Sequence, residues 1–83
     1  MTNEILITLT LYGEAAKKTL EEKTRIAGII VEKSGGDLSK VEQVCREFPC
    51  WRFKKPFVPN DMASRKIWRE CKAMAVETIA RMK

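Results

Sequence analysis

The sequence contains no histidine, and this absence removes several kinds of active site. Histidine is the usual general base near neutral pH and the commonest side-chain metal ligand. A serine or cysteine nucleophile therefore has no imidazole partner in this chain. No pair of carboxylates has a spacing that indicates a catalytic site either. We expect a protein that is not an enzyme and that carries no cofactor.

Long apolar segments are also missing, since no run approaches the roughly 20 residues of a transmembrane helix. The first residues, MTNEILITLTLYGE, lack the basic start and the small-residue cleavage site of a secretory signal peptide. The three cysteines are an odd number, and without a signal this indicates free thiols in a reducing compartment. We therefore predict a cytoplasmic protein that does not enter a membrane.

The cysteines are too few for a common zinc site. Such a site needs four ligands, and without histidine the fourth would have to be a carboxylate. Cys45 and Cys71 instead fall on the apolar faces of predicted helices, where cysteine packs like a small hydrophobic residue. We predict buried, reduced thiols and no bound metal.

The length and composition indicate one small globular domain, spanning residues 1–83. The chain is 45% hydrophobic and 33% charged, which is typical of an ordered domain and not of a disordered one. From the pattern of apolar residues we predict an α+β fold with the order β-α-α-β-α. It would contain three helices, a minimal two-stranded sheet and a long C-terminal helix.

Two segments carry the strand prediction. Residues 4–11, EILITLTL, alternate at their end, with Thr8 and Thr10 on one side and Ile7, Leu9 and Leu11 on the other. Residues 50–55, CWRFKK, would form a second, edge strand with Trp51 and Phe53 on its inner face. A lone first strand would otherwise have to pair with a second copy of the chain, so a homodimer is left open.

Helical spacing begins at Glu14 and continues to about Lys33. The Ser-Gly-Gly sequence at 34–36 predicts the end of this helix, because glycine accepts the left-handed geometry of a helix C-terminus. Ile29 lies nearly opposite the apolar stripe. It is either a lone exposed isoleucine or a contact between subunits.

Two further helices follow. The first is predicted from about Leu38 to Phe48, with Asp37 or Ser39 as its cap and Pro49 as its end. The second is the long C-terminal helix, predicted from a cap at Asn60 or Asp61 to about Met82.

The positive charge of the chain is confined to its last part. The net charge is +5, yet residues 1–34 are neutral and residues 35–49 carry −1. Residues 50–83 hold nine basic and three acidic groups, giving +6. Such asymmetry indicates that the positive charge binds a polyanionic partner, in preference to serving only solubility.

A row of basic residues on the last helix is the candidate binding site. Arg65, Arg69 and Lys72 are spaced i, i+4, i+7, so they can follow phosphates along one helix face. Arg52, Lys54 and Lys55 would extend this row if their segment lies beside the helix. Neighbouring rings either stack on unpaired bases or fill the small core: Trp51, Phe53 and Phe57.

The segment EKSGGDLSKVEQV, residues 32–44, resembles the Gly-Gly turns of some bacterial and phage helix-turn-helix domains. The resemblance implies that the helix after the turn reads DNA. That helix is net acidic, which is unfavourable for entering a major groove. A ribbon-helix-helix dimer is a further alternative, in which paired strands place Thr8 and Thr10 on base edges.

Two functions remain. The first is a small non-enzymatic accessory or regulatory protein that binds nucleic acid, DNA in preference to RNA, through the six basic residues named above. The alternative is an inhibitor or adaptor that docks its basic face on an acidic protein surface, like compact proteins that phages deploy against host machinery. The charge asymmetry favours the first.

Overall fold

The computed structural model describes residues 1–82, and every regular element within them is helical. The predicted α+β fold with a two-stranded sheet is therefore wrong, and the chain is a small all-α domain. A 3₁₀ turn at Leu38–Lys40 precedes the third helix. The five α-helices are α1 (Asn3–Ala15), α2 (Leu20–Ser34), α3 (Val41–Arg46), α4 (Pro49–Arg52) and α5 (Met62–Met82).

The predicted first strand, residues 4–11, is part of α1. Every residue from Leu6 to Leu11 is buried, so the middle of this helix is enclosed by the rest of the chain on all sides. A helix that is buried all round loses the one-sided 3.6-residue pattern of apolar residues that identifies a surface helix. Its β-branched residues, which weakly prefer strands, therefore led to the strand prediction, and tertiary packing overrides that preference.

The threonines of α1 satisfy their hydroxyl groups inside the helix. The Thr8 hydroxyl donates to the Glu4 carbonyl oxygen at 2.6 Å, and the Thr10 hydroxyl donates to the Leu6 carbonyl oxygen at 2.7 Å. Thr2 caps the helix by accepting from the Ile5 amide at 3.2 Å. The segment needs no strand from a second copy, and its threonines are buried, so the ribbon-helix-helix arrangement is wrong.

The predicted second strand is also absent from the described chain. Residues 49–52 form the single turn α4, with Pro49 at a first-turn position that needs no N–H donor. The Trp51 indole donates to the Thr10 hydroxyl oxygen at 2.9 Å and packs against the core. Phe53, predicted on the same inner face, is 82% exposed. Residues two apart point the same way on a strand but about 200° apart on a helix, which explains the difference.

The helix-terminating signals were easier to predict. Gly35 adopts φ 64° at the end of α2, and the Gly36 amide donates to the Val31 carbonyl oxygen at 3.1 Å, confirming the Ser-Gly-Gly stop. Asp37 accepts from the Ser39 amide at 2.9 Å. Asp61 caps α5 by accepting from the Ser64 amide at 2.9 Å, and α5 reaches Met82 as predicted.

Two predicted helices had wrong boundaries. The helix predicted from Leu38 to Phe48 is a 3₁₀ turn followed by α3, which ends at Arg46, and Pro49 begins α4 instead of ending the preceding helix.

The predicted helix from Glu14 to Lys33 is divided between two elements. α1 ends at Ala15, and α2 begins only at Leu20. The Thr19 side chain accepts from the Glu22 amide at 3.2 Å and so caps a new helix in the middle of the predicted one.

The core is built around α1, and α5 lies along it as its most extensive neighbour. α5 contributes three fully buried side chains to the interior, Cys71, Ala75 and Thr78. Shorter contacts with α2, α3 and α4 complete the enclosure of α1. The buried cluster consists of Leu6, Ile7, Leu11, Ala15, Ile26, Ala27, Ile30, Val41, Val44, Cys45, Cys71 and Ala75.

Gly13 lets the segment after α3 approach α1 closely. A methyl group at this position would lie 2.9 Å from Cys50 Sγ and 3.2 Å from Pro56 Cβ. Next to it, the Glu14 carboxylate accepts from the Cys50 amide at 3.0 Å. The glycine and the hydrogen bond together hold residues 50–56 against the end of α1.

Two glycine substitutions should therefore have opposite effects. We expect Gly13→Ala to lower the free energy of unfolding by about 1–3 kcal/mol, because the methyl group overpacks the contact with Cys50. Gly28→Ala, which faces open space on α2, should raise it by about 0.5–1 kcal/mol. Urea unfolding followed by circular dichroism measures both, and a destabilised Gly28→Ala variant would contradict this account.

A pair of threonine variants measures the contribution to stability of the hydrogen bond from the Trp51 indole to Thr10. Thr10→Val should lower the free energy of unfolding by about 1–3 kcal/mol, because it leaves the indole N–H without its acceptor. Thr8→Val is the control, since its hydroxyl bonds only a carbonyl of its own helix. Equal losses in thermal unfolding of the two variants would show that the indole bond contributes nothing.

Candidate nucleic-acid interface

Three basic side chains form a row on the exposed surface of α5: Arg65, Arg69 and Lys72. At about 100° per residue, their positions fall within about 60° of one another around the helix axis. All three are exposed, whereas Cys71 and Ala75 are buried in the core. This group is called the basic row below.

No carboxylate of α5 lies within the basic row. Glu70 and Glu77 lie to one side of it, about 100° and 80° from Arg69 around the helix axis and farther from Arg65 and Lys72. The ion pairs within residues 1–82 lie elsewhere, Arg25 with Glu22 and Arg46 with Glu42, each at 3.0 Å. The three cationic groups therefore face solvent without an acidic partner.

A second basic feature lies in the segment after α4. Lys54 and Lys55 line a groove of about 420 Å³ together with three aromatic rings, Tyr12, Phe53 and Phe57. Gly13, Cys50 and Pro56 line the same groove, so the packing that holds this segment against α1 also shapes it. It is called the aromatic groove below.

The aromatic groove adjoins the basic row through an aromatic contact. The Tyr12 and Trp68 rings meet edge to face, with centroids 5.8 Å apart and planes at 72°. Trp68 lies on the same flank of α5 as Arg65 and Lys72. Sequence reasoning gave Tyr12 and Trp68 no role, although the i, i+3 spacing of Trp68 from Arg65 was a usable signal.

The arginines near α4 interact with rings. The Arg52 guanidinium carbon lies 5.8 Å from the Phe53 ring centroid, and Arg52 does not line the aromatic groove. Arg46, which the sequence analysis did not assign to the site, lies 5.1 Å from the Trp51 ring centroid. Such cation–π contacts orient the ring and the guanidinium relative to one another.

The cysteines are free thiols with suppressed ionisation, and Cys45 and Cys71 are fully buried as predicted. Burial raises the pKa of Cys71 to about 11. Burial, and then the nearby Glu14 carboxylate, raise the pKa of Cys50 to about 12. Residues 1–82 contain no group of three or more cysteine, aspartate or glutamate side chains placed to hold a metal ion. The thiols are therefore packing groups, since the thiolate is the reactive form.

No protein-family model, curated protein sequence or solved structure matches this chain. None of the helices formed by residues 1–82 combines the length and the apolar character needed to cross a membrane.

The raised pKa values predict slow alkylation of the native protein. At about pH 8 we expect iodoacetamide to modify Cys50 and Cys71 far more slowly in the native protein than in urea, because burial disfavours the thiolate. The native rates should still climb about tenfold per pH unit beyond pH 9.0, the ordinary cysteine pKa, where the rates in urea level off. Mass spectrometry of quenched samples measures both, and equal native and urea rates would contradict the prediction.

Proposed function

We propose that this chain is a small non-enzymatic accessory or regulatory protein that binds nucleic acid. Arg65, Arg69 and Lys72 contact phosphates from the exposed face of α5. One observation carries the proposal: three cations share a helix face that holds no carboxylate and no ion pair. Each phosphate that they neutralise releases counterions, which drives binding without reading sequence.

Further cations extend the basic row. Lys54 and Lys55 line the adjoining aromatic groove, and Arg52 follows at the edge of α4. We propose DNA in preference to RNA as the partner, since the basic row is assigned to phosphates and no described residue is assigned to a ribose 2′-hydroxyl. The free, buried thiols support the proposal that the protein works in the reducing cytoplasm.

The helical hairpin formed by α2 and α3 is a weaker candidate for binding DNA than the exposed face of α5. α3 has only six residues and exposes Glu42, with Glu47 directly after it. Arg46, the basic residue of that helix, pairs with Glu42. A negative surface of this kind repels the phosphates that flank a groove of DNA.

A second candidate function is an inhibitor or adaptor that docks on an acidic protein surface. Exposed apolar side chains in the segment before and at the start of α5 favour it, because they can anchor a protein interface. They are Phe53, Phe57, Val58 and Met62, with exposures of 82%, 66%, 46% and 91%. A homodimer also stays a proposal, now supported only by Ile29, which lines a separate groove with Ile26, Val44 and Phe48.

Salt dependence of binding tests the proposed function. We expect fluorescence anisotropy with labelled oligonucleotides to show affinity that falls steeply with salt. Changing Arg65, Arg69 and Lys72 to alanine should reduce the slope of log K against log salt by about 0.7–0.9 for each lost contact. The cause is the loss of counterion release at each phosphate.

The matched control removes three exposed lysines from other surfaces, Lys17, Lys33 and Lys40, and so changes the net charge equally. Its slope should stay near that of the unchanged protein, as should its thermal stability. Absence of binding at low salt, or equal slope losses in the two triple variants, would refute the proposed function.

A further inference from the structure

Two phenylalanine rings lie outside the core, although so small a domain has few large apolar side chains to bury. Phe53 is 82% exposed and Phe57 is 66% exposed. Their segment is anchored, because Pro59 is buried and Pro56 packs against Gly13 at the end of α1. Proline also restricts the backbone on both sides of Phe57. The two rings are therefore exposed to solvent on a segment whose backbone is fixed by packing and by proline.

The aromatic groove has the dimensions and lining of a site for a flat ring. Its volume of about 420 Å³ is bordered by both phenylalanines and Tyr12, with Pro49 and Pro56 adding apolar surface. Each base of a nucleic acid has a π-face that stacks on such rings whatever its identity. Arg52 lies by the Phe53 ring, which orients that ring further.

The charges around the aromatic groove favour an anionic occupant. Lys54 and Lys55 line it and form no ion pair among the described residues. The one carboxylate in its lining, Glu14, is half-buried and accepts from the Cys50 amide. Cations interleaved with rings match a strand whose charged backbone alternates with flat bases. A purely apolar protein segment would leave both ammonium groups without counter-charge.

Two contacts link the aromatic groove to the basic row. Tyr12 lines the groove and contacts Trp68 on the flank of α5 that carries the row. At the other end, Arg65 donates to the Pro59 carbonyl oxygen at 3.5 Å, which ties the row to the segment that bears Phe57. The row itself spans about 10 Å of helix, enough to follow a short length of backbone beyond the groove.

We infer that the nucleic acid bound by this chain is single-stranded. Its bases stack on Phe53 and Phe57 in the aromatic groove, and its phosphates lie against Lys54, Lys55 and the basic row. A duplex cannot be bound in this way, because its bases are already stacked on one another. The inference rests on the proposed function and names its substrate class.

The test compares a labelled oligothymidylate with a duplex of the same length by fluorescence anisotropy at one salt concentration. We expect the oligothymidylate to bind at least about tenfold more tightly. Phe53→Ala/Phe57→Ala should remove most of this preference, since a lost stacking ring costs about tenfold or more per base. Phe53→Tyr/Phe57→Tyr should retain it, because the ring face is kept.

Two controls separate stacking from charge and from stability. Phe53→Ala/Phe57→Ala removes no cation, so its salt slope should be unchanged, in contrast to the triple variant of the basic row. Leu20→Ala, an exposed apolar residue on α2, should leave both affinities unchanged. Because the altered side chains are exposed, thermal unfolding of each variant should match that of the unchanged protein.

The possible failures are distinguishable. Equal affinity for both probes with no effect of Phe53→Ala/Phe57→Ala would overturn the single-strand inference and leave the proposed function intact. Absence of binding to either probe at low salt would overturn both. A change in the oligomeric state of Phe53→Ala/Phe57→Ala by sedimentation, with unchanged oligothymidylate affinity, would assign the rings to a protein interface and also overturn the inference.

Discussion

The burial of the middle of α1 on every side is the constraint on which the rest of the structure depends. A helix in the centre of so small a domain must be covered by all the others, and α5, α3, α2 and α4 each contact it. Its threonines are tolerated there because their hydroxyl groups bond carbonyl oxygens one turn back. Burying those hydroxyl groups without acceptors would oppose the hydrophobic gain of the same helix.

The candidate site is a consequence of how the chain is fastened to α1. The Trp51 indole bond to Thr10, the Cys50 amide bond to Glu14 and the close approach at Gly13 hold α4 and the segment after it at the end of α1. The same end of α1 carries Tyr12, which contacts Trp68 of α5. Residues far apart in sequence thus form one face, with rings beside cations.

Prediction from sequence was most successful where the signal is local. The Ser-Gly-Gly stop, the Asp61 cap and the length of α5 follow from interactions within a few residues, and all three are found. The strand predictions failed because they depended on what covers each side chain. Residues 6–11 are all buried, polar threonines included, and for such a segment alternation cannot distinguish a strand from an enclosed helix.

The sequence by itself determined the charge asymmetry, the helical spacing of Arg65, Arg69 and Lys72, the glycine stop of α2 and the Asp61 cap of α5, because these are properties of neighbouring residues. Only the tertiary structure decided which aromatic rings are buried and which are exposed. Trp51 and Phe53 stand two residues apart, yet one bonds Thr10 and the other faces solvent. The physical reason is that burial depends on contacts with distant segments, which local spacing does not contain.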